Sequence, residues 1–200
     1  MITKSLKYDL SFLVCMEHAE FQWVRSPNFN ARPSDSITMI VVHHTVIPSL
    51  EETVNHFLNL ESKVSSHYVL GRDGRIVQMV RDEDRAWHAG VSRWKGMDSC
   101  NDYSIGIEVV NRGDGAEPFT EEQYSSLRGL IGSLASKYGI AKDMVVGHRD
   151  IALPPGRKVD PADNFDWSVL AEFADRRRVA ELAESMRCEY KHTHSKNGEQ

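Results

Sequence analysis

The chain has 200 residues, a formal net charge of −5 and 40% hydrophobic residues, enough apolar content to bury a core within one domain. Its acidic balance, with a pI of about 6.0, excludes a general nucleic-acid binder, and no apolar run approaches the roughly 18 residues of a membrane span. Three widely spaced cysteines, Cys15, Cys100 and Cys188, fit a reducing compartment better than a disulfide framework.

Leu10 to Met16 is apolar, but Asp9 precedes it, Glu17-His18 follow it and no small-residue cleavage site comes next, so no export signal is expected. Val14 stands where a lipoprotein reading of Cys15 would want a small residue. Residues 1–36 read as irregular, and the first 25 as a lead-in outside the domain. Arg25-Ser26-Pro27-Asn28-Phe29-Asn30 and Arg32-Pro33-Ser34-Asp35 are turn chemistry. Ile37 to Val42 is a nearly unbroken apolar, β-branched run and predicts a buried central strand ending in His43-His44-Thr45. Ser49 then caps a helix with Glu51-Glu52 in its first turn and Val54, Phe57 and Leu58 on one face. Ser65 to Val69 and Ile76 to Val80 predict a hairpin turned by Arg72-Asp73-Gly74. Asp82 to Asp102 reads as loop and holds Trp87, His88, Gly90, Trp94 and Gly96.

Ser104 to Val110 predicts another buried strand, apolar except for Glu108. Thr120 opens a long helix through a capping box with Gln123; it runs to about Lys137, and Gly139 stops it. A short buried strand leads into Gly147. From there to Pro161 runs a proline-stiffened polar loop, GHRDIALPPGRKVDP, that holds His148, Asp150, Lys158 and Asp160. Phe165 to about Tyr190 is predicted helical, and residues 191–200 are expected to be a disordered polar tail. Strands alternate with helices, so the class is α/β, with one domain over residues 26–190.

Several of these side chains could carry chemistry. His43 and His44 end an apolar strand, where successive side chains point to opposite faces; only one can serve a site, and the sequence leaves open which. Glu108 is a carboxylate in an otherwise apolar strand, costly to bury unless paired or functional, and desolvation would tune it as a general base. His148 and Asp160 offer a nitrogen and an oxygen ligand twelve positions apart. Two histidines and one carboxylate with a fourth position open form a catalytic zinc pattern. Lys158 beside a polarised carbonyl would stabilise an oxyanion.

The ordered set His43, Ser65-Ser66-His67-Tyr68, Arg72-Asp73-Gly74, Ala86-Trp87-His88-Ala89-Gly90-Val91-Ser92, Asn101-Asp102-Tyr103-Ser104-Ile105-Gly106-Ile107-Glu108, Gly147-His148 and Gly156-Arg157-Lys158-Val159-Asp160-Pro161 closely resembles the zinc-dependent N-acetylmuramoyl-L-alanine amidases of the AmpD and AmiD type. These are relatives of the phage T7 lysozyme amidase and of peptidoglycan-recognition proteins. The resemblance spans about residues 26–168. It implies a central mixed sheet with helices on both faces and a zinc groove at one side. It also implies that His43 (rather than His44), His148 and Asp160 hold Zn2+, that Glu108 is the general base and that Lys158 is the oxyanion partner. The implied reaction is hydrolysis of the amide between the lactyl group of N-acetylmuramic acid and the L-alanine of the stem peptide.

By the same resemblance Lys63 keeps a cation where anhydromuropeptide-cutting members carry an arginine for a stem-peptide carboxylate. Ser99 replaces a second such arginine, and Trp87 and Asn101 line the groove. Two departures stand out: Ala162-Asp163 replaces the usual Gly-Pro, and Leu153-Pro154 lengthens the loop. The partner is peptidoglycan or a released muropeptide, with no nucleic acid, and the chain is expected to act as a monomer. A cytoplasmic location is expected, with the cell envelope or periplasm as the alternative; Val91 to Gly96 and Asn111-Arg112-Gly113 look AmiD-like, Cys100-Asn101-Asp102 AmpD-like. The rival reading is a peptidoglycan-binding module without activity, against which the full ligand set and Glu108 speak.

Overall fold

The computed structural model describes residues 21–195; the Leu10 to Met16 run with Cys15, and residues 196–200, lie outside the described residues. Ten strands are described: β1 (Gln22–Trp23), β2 (Phe29–Ala31), β3 (Met39–His44), β4 (Tyr68–Leu70), β5 (Ile76–Gln78), β6 (Asp84–Ala86), β7 (Arg93–Trp94), β8 (Met97–Asp98), β9 (Ser104–Val109) and β10 (Val145–Gly147). The helices are α1 (Leu50–Leu58), α2 (Glu121–Tyr138), the one-turn α3 (His148–Ile151) and α4 (Arg176–Ser195).

The main sheet has the order β1-β5-β4-β9-β3-β10. It is mixed: β4 and β5 form the expected antiparallel hairpin, while β4, β9, β3 and β10 run parallel. The expected α/β class and mixed sheet are therefore present. β3 and β9 are buried nearly throughout, which explains their unbroken apolar sequences, as parallel strands are covered on both faces. On one face, Leu50 and Phe57 of α1 pack with Val69, Val77 and Met79. On the other, Leu127, Leu130, Ile131 and Leu134 of α2 and Val179 and Ala183 of α4 join the cluster of Ile105, Ile107 and Val109. Alternation along β4 sends Val69 to the first face and Tyr68 and Leu70 to the second.

The caps form as the sequence requires. Ser49 accepts the Glu52 N–H, Thr120 and Gln123 complete their capping box, and Gly139 ends α2 at φ 64°, in the left-handed region that favours glycine.

Five expectations need correction. Residues 21–36 are not irregular, because β1 pairs with β5 and β2 with β6; strands of two or three residues are too short to show a period. The 82–102 stretch likewise contains β6 and the β7–β8 hairpin. The buried face of α1 is Leu50, Thr53 and Phe57, and Leu58 is exposed. The C-terminal helix is not continuous from Phe165: Asp166 caps a single 3-10 turn at Trp167–Leu170, the chain bends, and Asp175 accepts the Arg178 N–H as α4 begins. That helix then continues through residues 191–195, which the sequence assigns to a disordered tail.

Candidate active site

The site lies at the carboxyl ends of the parallel strands, where α/β sheets place their ligands. Register does most of the assembly. His43 is directly beside Glu108 across β3 and β9, and Gly147 pairs with Val42, so the next residue of that chain segment, His148, emerges beside His43. Asp160 arrives from the far end of the proline loop. That loop is fastened at several points. Asp150 accepts from the Gly147 N–H and from both Arg176 nitrogens, at 2.6 and 3.2 Å. The Arg149 N–H donates to the Asp160 carbonyl, and Arg157 donates to the Leu153 and Val91 carbonyls.

His43 Nδ1, His148 Nδ1 and Asp160 Oδ2 converge, with separations of 3.1, 3.0 and 3.0 Å. All three residues are buried and form the one candidate metal group among the described residues. The donor set fits zinc: bonds of about 2.0–2.1 Å in a tetrahedron place ligand atoms ~3.3 Å apart, close to what is found. Burial lowers the His43 imidazole to about 4, with repulsion from His148 adding to it, so its neutral, ligating form prevails. Burial alone would raise the Asp160 carboxyl, but the hydrogen bonds with His148 and His43 hold it well below the usual carboxylate range.

Glu108 neighbours this group through its register with His43. Its Oε2 is buried without a hydrogen-bond partner, an expensive state in a folded protein. Burial, and secondarily the Asp160 charge, pushes the carboxyl up to about 8, while Lys158 pulls the other way. A dication held next to it would also favour the carboxylate. Lys158 is exposed, yet near enough for its charge to act on His43 and Glu108.

His44 faces away from this candidate metal group, as strand alternation requires. It is buried, and its Nδ1 accepts the Ala162 N–H at 3.0 Å, which fixes the chain two residues past Asp160. His44→Ala is therefore expected to cost about 1–3 kcal/mol through the orphaned N–H while leaving metal stoichiometry unchanged. Denaturant unfolding and metal analysis of the same preparation check both halves.

The residues read as groove-lining are placed differently from one another. Trp87 is half-buried, with its indole N–H on Asn30 Oδ1 at 2.6 Å. Asn101 is buried, and its Oδ1 accepts the backbone N–H groups of both His88 and Ala89. Lys63 is exposed and left-handed at φ 52°, closing the 3-10 turn after α1; no contact joins it to the metal group. Sequence reasoning passed over Arg32, whose guanidinium donates to the carbonyls of Asp82, Asn101 and Ser104. It also gave Ser104 and His88 no role of their own. The available signal was Gly106, a glycine inside a buried strand, which marks a close approach.

Comparison with known proteins identifies the family and the fold. Residues 33–163 match the family model described as N-acetylmuramoyl-L-alanine amidase. The chain is 39% identical over 163 residues to the 1,6-anhydro-N-acetylmuramyl-L-alanine amidase AmpD of Haemophilus influenzae, covering 72% of this chain and 86% of the relative. A crystal structure of an AmpD selenomethionine derivative superimposes with a TM-score of 0.65 at 32% identity, covering 79% of this chain and 96% of that one. The Escherichia coli amidase AmiD, in complex with anhydro-N-acetylmuramic acid-L-Ala-D-γ-Glu-L-Lys, gives a TM-score of 0.62 at 34% identity, covering 72% and 60%.

Proposed function

Because the chain belongs to the N-acetylmuramoyl-L-alanine amidase family, we propose that it hydrolyses the amide between the lactyl group of N-acetylmuramic acid and the L-alanine of the stem peptide, with Zn2+ on His43, His148 and Asp160. The observation that carries this is the convergence of three buried ligand atoms beside a carboxylate whose second oxygen has no partner. A closed structural site would need four protein ligands, and a binding module would have no use for Glu108.

When bound, zinc supplies Lewis acidity, lowering the pKa of a bound water to about 7 and polarising the scissile carbonyl. Glu108 takes a proton from the attacking water and delivers it to the leaving amine nitrogen. The Lys158 ammonium compensates charge developing on the carbonyl oxygen. Trp87 presents its ring along the groove, Asn101 holds the groove wall through the His88-Ala89 backbone, and Lys63 meets a carboxylate of the stem peptide.

The relatives it matches include the 1,6-anhydro-N-acetylmuramyl-L-alanine amidases AmpD of Haemophilus influenzae and Escherichia coli, which supports released 1,6-anhydromuropeptides as substrate. This reading puts the enzyme in cell-wall recycling, supported by the AmpD relatives, and includes a cytoplasmic location and action as a monomer. No helix among the described residues is long and apolar enough to cross a membrane. Purified protein is expected to hold about one zinc per chain. A chelator should abolish hydrolysis of an anhydromuropeptide, and added zinc should restore it; full activity in zinc-free protein would refute the assignment.

A further inference from the structure

We propose that His88 is a positioning residue for the metal group, holding His43 by its ring while the adjoining Ala89 carbonyl holds His148. The inference rests on the metal reading above and goes beyond the ligands themselves.

Both ligating histidines turn Nδ1 to the metal position, so both must anchor Nε2. His43 Nε2 lies 3.0 Å from His88 Nδ1, and His148 Nε2 lies 2.9 Å from the Ala89 carbonyl. Two consecutive residues therefore receive the two outward N–H groups. The proton positions follow by elimination. A neutral His43 that ligates through Nδ1 carries its proton on Nε2. His88 Nδ1 must then accept, which puts the His88 proton on Nε2. That N–H faces Ser104 Oγ at 3.1 Å, and the Ser104 hydroxyl donates in turn to the Cys100 carbonyl at 2.6 Å. Every donor in the chain from His43 to Cys100 has one acceptor, and reversing any link leaves two donors facing each other.

The packing enforces the same arrangement. The His88 ring lies flat against β9: a Cβ on Gly106 would come within 2.5 Å of its Cγ, so only glycine admits the imidazole. His67 packs edge-on against it from another side, with ring centres 5.7 Å apart. Asn101 pins the backbone by accepting the N–H groups of His88 and Ala89 at 3.2 and 2.8 Å. Such outer partners fix the tautomer and orientation of a ligating imidazole and raise its basicity.

The test is zinc affinity by chelator competition, with the visible spectrum of the cobalt-substituted protein as a measure of ligand geometry. His88→Ala should weaken zinc binding about 10- to 100-fold and shift the cobalt bands. His88→Asn carries an acceptor at the place of Nδ1 and should recover most of the affinity. Ser104→Ala frees His88 to adopt the wrong tautomer and should cost roughly 3- to 10-fold; being a small change, it also serves if His88→Ala does not fold. Wild-type affinity and spectrum in whichever of these two variants folds would overturn the proposal, as would equal losses in His88→Ala and His88→Asn, which would mean bulk packing. A wild-type protein that binds no zinc would instead refute the metal reading itself.

Discussion

His148→Ala is expected to remove both the metal and the activity. The site has three protein ligands, so losing one leaves two donors in a buried pocket. The effect should exceed the roughly 10- to 100-fold typical of losing an outer partner. His43→Ala should behave alike, because His43 Nδ1 and His148 Nδ1 stand in equivalent relation to Asp160 Oδ2. His44→Ala is the control, one residue along the strand, buried, and facing Ala162 instead. Metal analysis after extensive dialysis, with circular dichroism to verify folding, reads the contrast. Stoichiometric zinc in His148→Ala, or its loss in His44→Ala alone, would overturn the ligand assignment.

The second large effect concerns the carboxylate. Glu108→Gln keeps the shape of the side chain and removes its basicity, so zinc content should stay near one per chain while kcat falls about 10²- to 10⁴-fold. Lys158→Ala should lower kcat about 10²- to 10³-fold with a smaller change in KM, because its contact strengthens as the oxyanion forms. The double variant should be less than additively worse, since both serve one step. Near wild-type kcat in Glu108→Gln would make Glu108 a structural carboxylate.

The same carboxyl gives a pH signature in metal-free protein. Burial raises it from 4.5 to about 8 in the folded state, so between those values the folded chain holds a proton that the unfolded chain has released. Its contribution to stability is fully present below pH 4.5 and is lost as pH rises through 8. Glu108→Gln should remove that loss, making the variant apoprotein relatively more stable at pH 8 than at pH 5.

Much of this site was legible before any fold was drawn, because its members break local rules. Glu108 is a charge in an apolar strand, and Lys158 and Asp160 sit in a loop too rich in proline to be a helix. The choice of His43 over His44 came from family resemblance, since alternation says that they diverge but not which way. What stayed hidden was non-local. Neither Arg32 nor Ser104 has neighbours in sequence that reveal a role; Arg32 reaches carbonyls at positions 82, 101 and 104. β1 and β2 are held by partners more than fifty positions away. The break before α4 turns on the caps at Asp166 and Asp175, two aspartates in a stretch whose apolar spacing otherwise continues a helix.

The most direct test is mass spectrometry of the products formed from a 1,6-anhydromuropeptide by zinc-loaded protein, beside the chelated protein and Glu108→Gln. Scission of the lactyl–alanine amide predicts a free stem peptide beginning with L-alanine and an anhydro sugar with a free lactyl carboxylate, formed by the zinc-loaded wild type alone. Intact substrate in that sample, cleavage at any other bond, or equal product from the chelated protein would contradict the account.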